Sequence, residues 1–344
     1  MKWIESVRKR TNKKTGRKTE KHSGKRSRRK SERKIGVKRT EREHQYTRFF
    51  RYLRRNGVSF AMIAIVLSLA AWTHIYELRA FTESLPTAIF TGGRNGTAAP
   101  EISAASAIVI DAADGSVLYE KNPQEKAYPA STTKIMTALL TIETLEELQS
   151  PVTQTVKVPN EAVGVEGSSI YLAQGEEVRV IDLLYGMMLR SGNDAATALA
   201  IIIAGSEDAF AERMNERAQE LGCKNTNFIN ANGLYNENHY TTARDMAVIS
   251  KEAMKNELFR EIAAAQQYTA ERDSDKYNYF YNKNKTVHQY EGGNGIKIGY
   301  TKASGRTLVA SAKRDGRQLI CVVMNAPDWF NDAYHLMDYC FENK

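Results

Sequence analysis

Pro129-Ala130-Ser131-Thr132-Thr133-Lys134-Ile135-Met136-Thr137-Ala138-Leu139-Leu140-Thr141-Ile142 is the stretch on which the reading of this 344-residue chain turns. Ile135, Ala138, Leu139 and Ile142 recur at helical spacing, which predicts a helix opening at Ser131 with an apolar stripe toward a core. A serine at a helix start offers a backbone N–H with no partner inside the helix, at the end where the dipole favours negative charge. Lys134, three residues on, returns to the same face one turn later. A lysine takes a proton from a serine only when it is itself neutral, and burial with a second nearby cation lowers its pKa toward that state. Ser131 and Lys134 are therefore candidate nucleophile and base. Taken alone, the spacing fits an ordinary capped helix with a surface lysine equally well.

Two further short motifs follow in order. Ser191-Gly192-Asn193 breaks two apolar helical segments, Val180–Met188 and Asp194–Ile203. In such a break Ser191 can point into a cleft and relay a proton to a leaving amine as a general acid. Asn193 would hold Lys134 and a substrate amide by hydrogen bonds. The same three residues are also plain turn chemistry. Lys297-Ile298-Gly299 lies in a strand spanning Gly295–Tyr300. Glycine at 299 lets another backbone approach the strand, and Lys297 is both the candidate second cation and an attractor for a terminal carboxylate. The backbone N–H groups of Ser131 and Tyr300 would form an oxyanion hole, worth about 3–4 kcal/mol per donor in comparable enzymes.

Working outward, Ala107–Asp111 and Ser116–Glu120 read as strands around the hairpin signal Asp114-Gly115. Glu207–Leu221 is amphipathic, and Thr242–Met254 is a helix capped by Thr241 or Thr242. Arg306–Arg314 and Arg317–Asn325 are strands around Asp315-Gly316, and Trp329–Glu342 closes the chain as a helix. Strands at both ends with helices between imply one mixed α/β (α+β) domain. The N-terminal hairpin is expected to join the C-terminal strands in one antiparallel sheet with a helical lobe beside it.

The net charge of +9 conceals two unlike parts. Residues 1–57 carry 23 Lys and Arg against 5 Glu, while the remainder carries 26 basic and 35 acidic side chains. The basic segment lacks aliphatic periodicity and reads as a disordered tail. Val58–Tyr76 follows, 19 residues without Asp, Glu, Lys or Arg, close to the ~20 needed to cross a bilayer. Arg51, Arg54 and Arg55 precede it and Trp72 and Tyr76 end it, so the positive-inside rule places the tail in the cytoplasm and the body outside. A cleaved signal peptide is the other reading, disfavoured by the long leader. Residues 77–104 are a linker, and the body occupies 105–344. Nothing after the tail resembles a nucleic-acid module, and no nucleic-acid partner is expected. Cys223, Cys321 and Cys340 show no metal or redox spacing, and Cys321 reads as a small core residue. No metal or cofactor is expected.

Longer context resolves the three motifs. Ile110-Asp111-Ala112-Ala113-Asp114-Gly115-Ser116-Val117-Leu118-Tyr119-Glu120-Lys121-Asn122, the 129–138 stretch, and Ser191-Gly192-Asn193-Asp194-Ala195-Ala196 resemble the low-molecular-weight penicillin-binding proteins that act as D-alanyl-D-alanine carboxypeptidases. So do Asn230–Leu234 with Glu237–Asp245, and Gly295-Ile296-Lys297-Ile298-Gly299-Tyr300-Thr301. The resemblance covers about residues 105–343. It implies the penicillin-binding protein/β-lactamase-like fold, acylation of Ser131 by a peptidoglycan stem peptide ending in D-Ala-D-Ala, release of D-Ala, and hydrolysis by water. It implies that β-lactams acylate Ser131 as inhibitors. Ser131, Lys134, Ser191 and Asn193 take the catalytic positions, and Lys297, Gly299, Tyr300 and Thr301 the substrate-binding ones.

The sequence departs from that pattern at Ile298, where the family carries a threonine whose hydroxyl helps bind the substrate carboxylate. Losing one hydrogen bond to a charged group costs about 1.5–3 kcal/mol, so either activity falls or Thr301 takes over the contact. Other readings share the motifs. A class A β-lactamase needs a glutamate with an asparagine four residues later, but Val165 and Ile170 follow Glu161 and Glu166 at that offset. A transpeptidase would join stems rather than trim them, and a wall-binding scaffold would acylate without turnover.

Overall fold

The computed structural model describes residues 98–273 and 275–343. The basic tail, the apolar span at 58–76 and most of the linker lie outside the described residues. Among those described, no helix is long and apolar enough to cross a membrane.

The body opens with the expected hairpin, β1 (Ser106–Asp111) and β2 (Val117–Lys121). At its turn the Asp114 carboxylate accepts from the Ser116 N–H at 2.8 Å, and Gly115 takes a φ of 84°. Helices α1 (Lys134–Glu147), α2 (Val180–Leu189), α3 (Asn193–Ala204), α4 (Glu207–Glu220), α5 (Ala243–Ala253) and α6 (Glu257–Ala264) form the lobe. Two short hairpins interrupt or follow them: β3 (Thr155–Lys157) with β4 (Glu177–Arg179), and β5 (Gln267–Thr269) with β6 (Tyr279–Tyr281). After α7 (Thr286–Gln289) come β7 (Gly293–Thr301), β8 (Gly305–Arg314) and β9 (Arg317–Met324), then α8 (Trp329–Glu342).

The main sheet has the order β2-β1-β9-β8-β7, antiparallel throughout, as the two-ended strand pattern requires. Its two faces follow from period two along β9. Ile320, Val322 and Met324 belong to the core under the helical lobe, while Leu319, Cys321 and Val323 belong to a second core beneath α8 with Leu336 and Met337. Cys321 is thus a core residue, and all three cysteines are free and buried. Every residue of α2 is buried, which fits a helix apolar on all sides. Thr242 caps α5 by accepting from the Asp245 N–H at 3.1 Å.

The helix expected to open at Ser131 is more specific in form. Ala130–Thr133 is a 3₁₀ turn, and the α-helix starts at Lys134. Ala130 holds a φ of 48°, a left-handed conformation that a regular helix entry excludes. The turn rests on β7, the edge strand of the sheet, and this contact builds the cleft.

Candidate active site

Ser131 is half-buried on the 3₁₀ turn, and Lys134 is fully buried one turn later. The Lys134 Nζ lies 3.0 Å from Ser131 Oγ and 2.7 Å from Asn193 Oδ1, and it also donates to the Asn232 carbonyl. A neutral amine has two N–H donors and one lone pair. Asn193 and Asn232 occupy the two donors, which leaves the lone pair for the Ser131 hydroxyl proton. Burial first, and then the charges of Lys297 and Lys283, hold the Lys134 pKa well below its ordinary value, against an opposing pull from Asp194. Packing and like charge thus push Lys134 in the direction the sequence reading requires, toward the neutral form beside the serine.

Lys297 is buried on β7, and its Nζ donates to the Ile298 carbonyl at 3.1 Å. Burial and then Lys283 bring its pKa down to about 7. Gly299 follows where the strand meets the turn. A Cβ there would stand 2.9 Å from both the Pro129 oxygen and the Ser131 nitrogen, and 2.5 Å from Thr307 Oγ1. Thr307 itself donates to the Pro129 carbonyl at 3.1 Å, tying β8 to the nucleophile turn. Among the described residues β7 has no strand on its outer side, so an extended peptide can lie along that edge between Ser131 and Tyr300.

Ser191 sits in the α2–α3 break with a φ of 64°, and its hydroxyl has no hydrogen-bond partner among the described residues. Asn193, buried beside it, receives Lys134 as expected. Its amide nitrogen donates to the Glu166 carbonyl at 2.5 Å, so one of the two N–H groups meant for substrate is already engaged. The Glu166 side chain is exposed and contributes only this main-chain oxygen. Ala130 and Ser191 flank the reacting groups in backbone conformations that cost about 1–3 kcal/mol each and persist only where the surroundings enforce them.

One expectation needs revision. The Thr301 hydroxyl is tied to Ser304 Oγ at 2.9 Å and accepts from the Ser304 N–H at 3.0 Å, so it closes the β7–β8 turn instead of standing free for a carboxylate. The Tyr300 ring is exposed, and the sequence reading asks only for its backbone N–H. Ile298, on the alternate face from Lys297, packs at the margin of the core beneath α8.

Other contributors are given no role by the motifs, although Asn232 and His239 lie in stretches that carry the resemblance. Asn232 acts through a carbonyl. Lys283 reaches the cleft from the segment after β6, where its Nζ donates to Ser168 Oγ at 3.2 Å. His239 is buried. Its Nδ1 accepts from the Ile229 N–H at 3.1 Å, which leaves the proton on Nε2 to bond Thr133 Oγ1 at 2.9 Å. Burial and then Lys134 lower the His239 pKa to about 4, so it is neutral at ordinary pH. Asp194 is buried beside Asn193. Its carboxylate accepts from Ser169 Oγ at 2.6 Å, from Ile170 N and Leu172 N at 3.1 Å each, and from Ala195 N at 2.9 Å.

On an antiparallel sheet with a helical lobe beside it, a serine paired with a buried lysine of lowered pKa is the arrangement of a candidate serine nucleophile and its base. The description D-alanyl-D-alanine carboxypeptidase, peptidase S11, matches residues 94–328. The chain is 41% identical over 223 residues to the D-alanyl-D-alanine carboxypeptidase DacF of Bacillus subtilis (strain 168), covering 65% of this chain and 57% of DacF. The solved structure of the Streptomyces K15 DD-transpeptidase superposes with a TM-score of 0.65 at 30% identity, over 72% of this chain and 100% of that one. Penicillin binding protein 5 from Haemophilus influenzae superposes with a TM-score of 0.66 at 32% identity, over 72% and 73%. The chain belongs to the D-alanyl-D-alanine carboxypeptidase family, peptidase family S11. It spans 57%, 62% and 60% of the lengths of the first three curated relatives.

Proposed function

We propose that this chain is a serine-type carboxypeptidase that removes the terminal D-Ala from peptidoglycan stem peptides and is acylated by β-lactams. The observation that carries the reading is the Lys134 Nζ, buried, depressed in pKa and 3.0 Å from Ser131 Oγ. Lys134 takes the Ser131 proton as Oγ attacks the penultimate D-Ala carbonyl. The N–H groups of Ser131 and Tyr300 receive the developing oxyanion. Lys297 attracts the terminal carboxylate, and the unpartnered Ser191 hydroxyl passes a proton to the departing D-Ala amine. Water then attacks the ester on Ser131, and the serine regains its proton.

The Streptomyces K15 relative is titled a DD-transpeptidase. A second reading is therefore that an amine replaces water as acceptor at the same ester. The apolar span at 58–76 supports a membrane tether with the 105–344 body on the extracytoplasmic face and the 1–57 tail in the cytoplasm.

The full chain, purified in detergent, is given a peptide ending in D-Ala-D-Ala, with and without a D-amino-acid acceptor, and fluorescent penicillin in parallel. Release of D-Ala and labelling that both vanish in Ser131→Ala support the proposal. Labelling without release in either condition overturns it in favour of a non-hydrolytic wall binder. Release only with the acceptor present selects transfer over trimming. Protease added to intact cells tests the topology: the body is cut if it faces outward.

A further inference from the structure

Tyr171 occupies a conformation that a bulky side chain rarely takes, a φ of 60°, yet its ring is 71% exposed. The strain is not relieved by burial, so the surrounding structure must enforce it. Asp194 holds the amides on both sides, at Ile170 and Leu172. Arg272 donates to the Ile170 carbonyl at 2.9 Å and the Tyr171 carbonyl at 3.3 Å, and it is itself fixed by Glu176 at 2.7 Å. The ring is braced too. Tyr277 meets it edge-on at 5.9 Å, Phe280 backs Tyr277 at 5.8 Å, and Tyr268, stacked 3.7 Å from Tyr185, continues the ladder into the lobe.

This mount stands at the cleft wall. Three residues before Tyr171, the Ser168 carbonyl accepts from the Asn193 N–H at 2.7 Å. Arg190, next to Ser191, places its guanidinium 5.5 Å over the Tyr277 ring, and Lys283 reaches Ser168. Neither Arg190 nor Lys283 makes an ion pair among the described residues. A rigid amphipathic ring loses little entropy on binding, and with these cations one residue removed, through Tyr277 and Ser168, the wall favours a flat, hydroxyl-edged and acidic partner.

We propose that Tyr171, braced by Tyr277 and flanked by Arg190 and Lys283, is a docking ledge for the glycan strand of peptidoglycan. A sugar face stacks on the ring, and carboxylates of neighbouring stems meet the cations. The ledge makes the polymer a better substrate than a free stem peptide of the same sequence. This inference rests on the function proposed above.

The test uses the full chain in detergent. Binding to purified peptidoglycan sacculi is measured by pelleting in the Ser131→Ala background, which reads docking without turnover. Tyr171→Gly removes the ring and suits the backbone angle, and Tyr171→Trp restores a ring. Half-saturation for sacculi is expected to rise about 5-fold or more in Tyr171→Gly, the size of a typical anchoring-residue loss, and to return in Tyr171→Trp. With Ser131 intact, kcat/KM on a soluble D-Ala-D-Ala peptide is expected to stay unchanged. Unchanged sacculus binding in Tyr171→Gly overturns the ledge, and so does an equal loss on the soluble peptide. Absence of D-Ala release from any substrate by the unmodified chain would count against the carboxypeptidase while leaving the pelleting result to be read on its own.

Discussion

Gly299 and Ser131 meet so closely that a single methyl group on the glycine would stand 2.9 Å from the serine nitrogen. The strand edge and the nucleophile turn are in contact through the absence of a side chain. Gly299→Ala must push the turn away from β7 and carry the oxyanion donors with it. Since displacements near 1 Å cost on the order of 10²-fold in rate, penicillin acylation is expected to fall by about that factor. The melting temperature should fall as well, because overpacking of this kind costs about 1–3 kcal/mol. Unchanged acylation would show that the turn yields without cost.

Lys283 is the third cation of the cleft and lowers the pKa of both Lys297 and Lys134, after burial in each case. Removing a positive charge favours protonation of its neighbours. In Lys283→Ala, Lys134 should protonate at higher pH and Lys297 should stay cationic above about 7. Both limbs of the pH profile of kcat/KM then move to higher pH. A profile that only loses height would assign Lys283 to contact alone.

Lys297 is bought at the expense of stability. Its folded pKa of about 7 lies below the unfolded value of 10.5, so the unfolded chain binds the extra proton. The penalty is absent above the unfolded pKa, grows as pH falls, and is complete below about 7. Lys297→Met should therefore melt higher at pH 6 than the parent, by about 2–4 °C for each ~1 kcal/mol recovered. The gain should shrink toward pH 10, and D-Ala release should be lost. Equal or lower melting at pH 6 would mean that the lysine is compensated in the folded state.

His239 joins Ile229 to Thr133 with one nitrogen each. His239→Ala leaves the buried Thr133 hydroxyl without its partner, at a cost of about 1–3 kcal/mol, and frees the turn that carries Ser131. Its folded pKa of about 4 lies below 6.5, so the stability that neutral His239 supplies is lost as pH falls from 6.5 toward 4. His239→Gln places an amide donor near the Nε2 position and cannot protonate. It should acylate faster than the alanine form and flatten the fall in melting temperature across that window. An unchanged acid limb in His239→Gln would remove the histidine from the pH response.

The parts legible in the sequence are those written in local pattern. Asp114-Gly115 and Asp315-Gly316 mark their turns, and Trp329–Glu342 is helical over its full expected length. The trio of motifs converges because α1, the α2–α3 break and β7 all face one cleft. The three-residue strands at Thr155–Lys157 and Glu177–Arg179 carry too little periodicity to be seen, and they pair across a long intervening segment. Asn232, Thr307 and Lys283 enter through a carbonyl, a hydroxyl bond to Pro129 and a long-range charge, none of which has a spacing rule. Thr301 reads as a free hydroxyl because its partner Ser304 lies across a turn that only the folded chain closes.

The open outer edge of β7 has a cost outside chemistry. A row of unpaired backbone groups is a template for any extended chain, including another copy of this protein. Here the Ala130–Thr133 turn packs against that strand at Gly299 and covers part of it. Damage that loosens that turn is expected to uncover more of the edge, so clumping in storage is the sign to look for when the cleft fails.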